Sequence, residues 1–270
     1  MKILDYNDID FSQLVKKEIN YNQNDLYENN GELIKIFKGL SEHERTQLFK
    51  KYEDMRDIII DGVIKPDKYI VKTYFRYGKE KFDFLGYTMP KFENSSNVNN
   101  HFYYVDSYKC SDLFKVLKKA SIILKEIHEN NIIFQDFSFF NILFDKNDYN
   151  NVKIIDMDSC CYNKNGTAFV SYDLKYYYEN ILGERFIPAT KNNDKLSMIL
   201  SLSILLFSKE IDEISNSDYE EKARKIKTLE NLKEYYLALR DGKIDLCSGE
   251  IPYLHELIDD NESYVFKNFI

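Results

Sequence analysis

The first ninety residues alternate between short apolar runs and polar turns, a pattern typical of a small antiparallel sheet. Residues 21–31 and Glu32–Phe37 predict two strands joined by an Asn-Asn-Gly turn. Tyr69–Phe75 and Phe82–Met89 predict two further strands. Residues 1–92 are therefore expected to form a first domain built on a sheet.

A helix is expected between these two pairs of strands. Ser41 followed by Glu44 predicts a capping box, in which each side chain binds the backbone amide of the other residue. Apolar residues then recur at helical spacing from Leu48 to Ile59. The predicted order is strand, strand, helix, strand, strand.

The apolar spacing becomes mainly helical in the rest of the chain. Glu93–Asn100 is rich in Asn and Ser and predicts a connector between domains. Leu113–Ile127 forms an amphipathic stripe that predicts a long helix. Leu196–Phe207 is an apolar stretch with interspersed serines and predicts a buried helix. Residues 93–270 are expected to form a second, mainly helical domain.

The composition limits the possible partners. The chain has 270 residues, with 45 acidic and 37 basic side chains and a net charge of −8. Binding of nucleic-acid phosphates needs clustered Lys and Arg, so nucleic acid is not an expected partner. The longest apolar stretch is shorter than the about 20 residues that span a bilayer, so a membrane is not expected either. Oligomeric state is left open.

The cysteines indicate the cellular compartment. There are 4 of them, without a CxxC pair or repeated spacing, so neither a disulfide framework nor a zinc site is predicted. Acidic residues interrupt the apolar residues at the amino terminus, which argues against a secretory signal. The expected location is the cytoplasm.

Three oxygen-bearing side chains stand in and after a short loop beyond the long helix. Asp136 and Asn141 lie in the loop, and Asp156 follows a predicted hairpin of Ile142–Phe144 and Val152–Ile155. Taken singly, Asp and Asn in loops are more typical of turns and caps. Together they provide the oxygen ligands that Mg²⁺ prefers, with phosphate oxygens completing the coordination. The pattern predicts a site that transfers phosphate.

These residues resemble the signature of the protein-kinase superfamily. In that family the catalytic loop reads HRD, four residues and Asn, and DFG follows one hairpin later. The corresponding strings here are Phe134-Gln135-Asp136, Asn141 and Asp156-Met157-Asp158. His128 in the long helix and Asp194 before the buried helix match two further positions of the family. The residues of these motifs look most like those of divergent bacterial Ser/Thr kinases of eukaryotic type.

The resemblance covers roughly residues 15–210. It implies a two-lobed α+β fold, with a small sheet and one helix in the N-lobe and a mainly helical C-lobe. It also implies that ATP and Mg²⁺ bind and that the γ-phosphate moves to a hydroxyl, on protein Ser/Thr in the preferred reading. Asp136 would accept the proton of that hydroxyl, while Asn141 and Asp156 would hold Mg²⁺.

Further residues of the nucleotide site follow from the same resemblance. Lys35 would contact the α- and β-phosphates. Alternation along a strand places Leu33 on the same face as Lys35, and Met89 is the third expected contact from the sheet. Lys38 is the alternative lysine, and it lies on the opposite face.

The acidic partner of the nucleotide lysine is expected to be Glu53, with Glu44 as the alternative. The chain also departs from the family pattern. Asn20–Asp25 contains no glycine where the family has a Gly-rich loop. Gln135 replaces an Arg, and Ser138 replaces the Lys that neutralises the γ-phosphate.

Two other functions remain open because of these departures. A small-molecule kinase of the aminoglycoside or choline type shares the Asp, Asn and Asp elements, and in it Asp158 would be a second metal ligand. A pseudokinase would bind nucleotide or a partner protein without turnover. The missing glycines favour the pseudokinase, while the retained Lys35, Asp136, Asn141 and Asp156 favour an enzyme.

Overall fold

The computed structural model describes residues 2–17, 24–162, 175–243 and 251–267. Over these residues the protein is mixed α+β, which confirms the expected fold class at that level. The chain divides into two compact units. Unit 1 contains the described residues of 1–59 and 64–93 with Tyr162, and unit 2 contains those of 60–63, 94–161 and 168–270.

Unit 1 is built on a single sheet. Its strands in the described residues are β1 (Lys2–Asp5), β2 (Val15–Lys17), β3 (Asn24–Asn29), β4 (Glu32–Phe37), β5 (Lys68–Arg76) and β6 (Lys79–Pro90). They lie in the order β1-β5-β6-β4-β3-β2. Strands β1 and β5 run parallel, and the other neighbours run antiparallel.

The predicted hairpin of β3 and β4 is confirmed. Asn30 and Gly31 form its turn with φ angles of 46° and 84°. Two successive positive φ angles are typical of the tight hairpin turn that matches the twist of the strands. Gly86 on β6 permits a second close approach, because a Cβ there would overlap the carbonyl oxygen of Lys35 on β4.

The predicted helix between the strand pairs is α1 (Glu42–Asp54). Its capping box is confirmed, since the Ser41 amide donates to Glu44 Oε2 at 2.7 Å and the Glu44 amide donates to Ser41 Oγ at 3.3 Å. The prediction that the helix continues to Ile59 is wrong, because Ile59 is 91% exposed and lies beyond the helix end. Consecutive β-branched residues at 58–60 are poor helix formers.

Aromatic rings fill the space between α1 and the sheet. The Tyr52 and Tyr87 rings meet edge to face, with centroids 5.4 Å apart, and the Phe49 and Tyr69 rings do so at 5.5 Å. Such pairs are stabilising beyond the area they bury. The buried members of this core are Phe37, Leu48, Tyr52, Tyr69, Phe84 and Tyr87.

Unit 2 combines helices with short strands. Its strands and α-helices in the described residues are β7 (Ser95–Asn97), α2 (Val98–Tyr104), β8 (Ser107–Lys109), α3 (Cys110–Glu129), β9 (Ile142–Asp145), β10 (Asp148–Ile154), α4 (Lys191–Phe207), α5 (Asn216–Ala223), α6 (Lys227–Arg240) and β11 (Val265–Lys267), and a π-helix covers Tyr177–Leu182. Strands β10, β9 and β7 form one sheet in that order, and β11 pairs with β8.

The boundary between the two units falls between Glu93 and Asn94, inside the segment predicted as a connector, but most of that segment is regular secondary structure. Residues 95–97 form β7 against β9, and α2 begins at Val98. The Asn97 side chain accepts from the Asn100 amide at 2.7 Å and caps this helix. Asn favours both turns and helix caps, so its abundance does not by itself distinguish a linker from a helix start.

The two helices predicted from apolar spacing are confirmed and form the frame of unit 2. Helix α3 buries Leu113, Leu117 and Ile127 along one stripe, and α4 is buried on nearly every side. The predicted hairpin is confirmed as β9 and β10, with Ile142 opposite Ile154. No helix in the described part of the chain is long and apolar enough to cross a bilayer.

Candidate functional site

The path of the loop between α3 and β9 is fixed by backbone hydrogen bonds between residues two or three positions apart. The Asp136 amide donates to Phe134 O at 2.9 Å, the Ser138 amide to Asp136 O at 3.0 Å, and the Asn141 amide to Ser138 O at 3.0 Å. Each bond closes a tight turn. Asp136 and Asn141, both partly exposed, are therefore held on a loop with few alternative conformations.

The side chain of Asn141 is bonded to Asp136. Its Nδ2 is 2.9 Å from the backbone oxygen of Asp136 and 3.4 Å from the carboxylate oxygen Oδ2. An amide nitrogen only donates, so Oδ1 is the atom of Asn141 that is able to bind a cation. This orientation suits the predicted role of Asn141.

Strand β10 brings Asp156 to the same corner of unit 2. Ile142 is paired with Ile154, and the Ile155 amide donates to Asn141 O at 3.0 Å. Asp156 follows directly in the left-handed region, with φ 66° and ψ 60°. That conformation costs a non-glycine residue roughly 1–2 kcal/mol and is typical of functional sites. The predicted base Asp136 and the two predicted ligands Asn141 and Asp156 thus lie on adjoining backbone segments.

The buried carboxylate of Asp194 holds the loop in place through hydrogen bonds to its backbone. Asp194, fully buried at the start of α4, accepts from the Phe134 amide at 2.6 Å and from the Gln135 amide at 2.7 Å. Its Oδ2 is also 2.9 Å from His128 Nε2. Charge-assisted hydrogen bonds of this kind are about twice as strong as neutral ones. The two residues immediately before Asp136 are therefore held at their backbone.

The loop is also tied to the segment that follows Asp156. Ile133 and Cys161 exchange two backbone hydrogen bonds, of 3.1 and 2.7 Å. The Cys161 thiol lies 3.3 Å from Gln135 Oε1. Gln135 itself has a positive φ of 65°. Both sides of the candidate metal site are fixed by these contacts within unit 2.

The donor set suits Mg²⁺ that shares its coordination with phosphate. Within the described ranges, no three His, Cys, Asp or Glu side chains are grouped so that they could hold a metal. The predicted ligands are the Asp156 carboxylate and the amide oxygen of Asn141, while Asp136 is the predicted base. Magnesium is commonly held by one or two carboxylates plus phosphate oxygens rather than by an all-protein cage. The residues present therefore fit a magnesium–nucleotide complex.

In unit 1, Lys35 is a buried lysine on β4. It is 7% exposed, and its Nζ lies 6.0 Å from the Phe37 ring centroid and 5.9 Å from that of Tyr87. Both rings belong to the core beneath α1, so Lys35 is on the helix-covered face of the sheet. Lys38, the alternative, forms an exposed ion pair with Asp25 at 2.7 Å. The burial distinguishes the two lysines.

Leu33 and Met89 lie opposite each other on β4 and β6. Met89 packs against the aromatic core, and Leu33 is partly buried on the same face as Lys35. Of the glycine-free segment Asn20–Asp25, residues 20–23 lie outside the described residues.

The structure does not bring Glu53 into an ion pair with Lys35. Glu53 lies near Arg56, with Oε2 and Nη1 4.0 Å apart, and its Oε1 is buried without a hydrogen-bond partner in the described residues. Glu44 is engaged in the capping box. Burial, with a contribution from Glu53, raises the pKa of Tyr69 to about 12.

The sequence did not predict the burial of Lys51 or the hydrogen bond of Tyr253. Lys51 on α1 is only 1% exposed, and its spacing from Leu48 and Met55 on the apolar face was the available signal. Tyr253 contacts His128 through its hydroxyl at 2.9 Å. These two residues are 125 positions apart, so no local pattern could have predicted the contact.

A surface pocket of about 550 Å³ lies elsewhere in unit 2, and it is lined by neither the predicted base Asp136 nor the predicted ligands Asn141 and Asp156. Lys222 of α5 is part of its wall. The Lys222 ammonium group bonds to Leu206 O and lies 4.7 Å from the ring centroids of Phe207 and Phe266. Burial lowers the pKa of Lys222 to about 8.

No protein-family model matches the chain, and no curated protein matches it either. The kinase resemblance therefore rests on the residues of this chain and their arrangement alone.

Replacing Asp194 should loosen the loop. We expect Asp194→Asn to lower the free energy of unfolding by about 3 kcal/mol, because one of its three donors would then face an amide group that cannot accept. Denaturant unfolding measures this change. Asp260→Asn is the matched control, since Asp260 pairs with Lys118 at the surface and should cost under about 1 kcal/mol. Equal effects of the two variants would contradict the anchoring role.

Lys222 should make stability rise with pH. Its pKa is about 8 in the folded chain against 10.5 ordinarily, so the unfolded chain binds more protons between these values. We therefore expect Lys222→Met to stabilise most near neutral pH, with an advantage that shrinks as the pH approaches 10.5. Urea unfolding at several pH values measures the difference between variant and wild type. A difference independent of pH would contradict this. Lys225→Met, at an exposed ion pair with Glu221, is the control.

Proposed function

We propose that the protein is an ATP- and Mg²⁺-dependent phosphotransferase that moves the γ-phosphate to a hydroxyl, with protein Ser/Thr as the acceptor. One observation carries the proposal. The Asn141 side chain is bonded to Asp136, and the Asn141 backbone is bonded to the residue before Asp156. A base and two oxygen ligands are thereby fixed on one framework, as phosphoryl transfer requires.

The chemistry follows from these groups. Mg²⁺, when bound, neutralises charge that builds up on the phosphate oxygens. Asn141 Oδ1 and the Asp156 carboxylate would hold it, and Lys35 would bind the α- and β-phosphates. The Asp136 carboxylate takes the proton of the acceptor hydroxyl as that oxygen bonds to the γ-phosphorus. The bond from the γ-phosphorus to the bridging oxygen breaks, and ADP leaves with the electron pair.

The acceptor class is supported by the chain that precedes α3. Residues 95–109 form only the short elements β7, α2 and β8 in the described chain. A small-molecule kinase of the aminoglycoside or choline type would be favoured by a larger substrate-binding insertion at this place. A protein acceptor is therefore preferred.

Asp136→Ala should abolish transfer while nucleotide binding persists. We expect a fall of about a hundredfold or more in the rate of label transfer from γ-labelled ATP, because the base is lost. Parallel reactions with a generic protein substrate and with aminoglycoside or choline distinguish the acceptors. Asp148→Asn, an exposed carboxylate on the same hairpin, is the control. Undiminished transfer by a folded Asp136→Ala protein would reject the assigned role, and inactive wild type with bound ATP would favour the pseudokinase.

Lys35 and Lys38 provide a second, matched comparison. Lys35→Met should weaken ATP binding about tenfold or more, because a buried cation assigned to the phosphates is removed. Lys38→Met removes the same charge from an exposed pair and should leave affinity nearly unchanged. Calorimetric titration with ATP and Mg²⁺ measures both. If Lys38→Met weakened binding more than Lys35→Met, the assignment would be reversed.

A further inference from the structure

The segment after α6 contacts the anchor of the candidate catalytic loop. Ile251 and Leu254 are buried, at 1% and 2% exposure. The His255 amide donates to Ser121 Oγ of α3 at 3.1 Å. Tyr253 lies between these contacts, and its hydroxyl is 2.9 Å from His128 Nδ1.

The donor and the acceptor in the contact between Tyr253 and His128 follow from the neighbouring hydrogen bond to Asp194. A carboxylate only accepts, so the His128 Nε2 that faces Asp194 at 2.9 Å must carry a proton. In a neutral imidazole the other nitrogen, Nδ1, is then an acceptor, and the Tyr253 hydroxyl donates to it. The proton positions are assigned from this network. Tyr253 thus donates to His128, and His128 donates to Asp194.

The ring of Tyr253 is itself fixed. The Lys195 ammonium lies 4.2 Å from the ring centroid and donates to Ile251 O at 2.7 Å. The Tyr253 amide donates to Glu256 Oε2 at 3.1 Å. A cation over the ring and a backbone bond restrict both the ring and the chain that carries it. The hydroxyl therefore has a defined position relative to His128.

We propose that Tyr253 is a positioning residue for phosphoryl transfer, which acts by holding the His128 ring in the position from which Nε2 donates to Asp194. The inference rests on the proposed function for its catalytic consequence. Asp194 in turn binds the amides of Phe134 and Gln135, at 2.6 and 2.7 Å, and these residues immediately precede Asp136. The orientation of the base thus depends on a hydroxyl from the far end of the chain.

Loss of the hydroxyl has a specific consequence. Without the hydroxyl, Nδ1 is left buried and has lost its hydrogen bond to Tyr253. Nε2 stays bonded to Asp194, but the ring keeps only one of its two hydrogen bonds and is positioned less firmly. Partners that orient a metal-bound histidine commonly change activity tenfold or more, which sets the scale of the effect expected for a histidine that supports a catalytic loop. The loop amides should be the first groups to lose protection.

Tyr253→Phe tests the proposal, with Tyr236→Phe as the matched control. Tyr236 also loses one hydrogen bond, from its hydroxyl to Ile211 O at 3.2 Å, but has no link to the loop. We expect Tyr253→Phe to lower kcat about tenfold with little change in the KM for ATP. Hydrogen exchange at the Phe134 and Gln135 amides should accelerate in that variant alone. Nitrogen NMR of the His128 ring should report the lost hydrogen bond at Nδ1 and a weaker one at Nε2.

A double-mutant cycle separates positioning from a general structural role. His128→Gln removes the imidazole ring through which Tyr253 is proposed to act. Adding Tyr253→Phe to it should reduce kcat less than Tyr253→Phe does alone.

Several results would overturn the inference. These are unchanged exchange at Phe134 and Gln135, an effect on kcat equal to that of Tyr236→Phe, or full additivity with His128→Gln. If wild type transfers no phosphate, the proposed function fails, and the exchange and NMR measurements still decide whether Tyr253 controls the loop.

Discussion

The buried carboxylate of Asp194 is the interaction on which the candidate site depends. An ionised group with no solvent contact is strongly destabilising unless donors surround it. Two backbone amides and one imidazole supply those donors here. Satisfying this charge fixes α3, α4 and the loop before Asp136 relative to one another. In unit 2, the hydrogen bonds that stabilise the buried carboxylate therefore also set the geometry of the loop.

The apolar framework makes that arrangement possible. Helix α4 is buried on nearly every side, so a polar group at its start is also removed from water. The backbone around the loop accepts conformations that are unfavourable in isolation, at Gln135 and Asp156. Such strain persists only where surrounding contacts overdetermine the backbone. The hydrogen bonds from Asn141 and Cys161 provide those contacts.

In unit 1, packing distinguishes two lysines of the same strand region. Lys35 and Lys38 are three positions apart and chemically identical. One lies beneath α1 among aromatic rings, while the other pairs with Asp25 at the surface. Alternation along β4 predicted the two faces, but only the packed core shows which face is buried. Glu53 illustrates the limit, because helical spacing placed it on α1 without indicating that Tyr69, on a distant strand, would be its neighbour.

The sequence by itself determined the features that depend on neighbours a few residues away. The hairpin turn at Asn30–Gly31, the capping box of α1, the stripe of α3 and the apolar character of α4 are of this kind, because periodicity and local hydrogen bonds are written in adjacent residues. Only the tertiary structure decided the contacts between distant residues. Asp194 meets Phe134 across 60 positions, and Tyr253 meets His128 across 125. Such pairs form when helices pack together, and no local pattern records them.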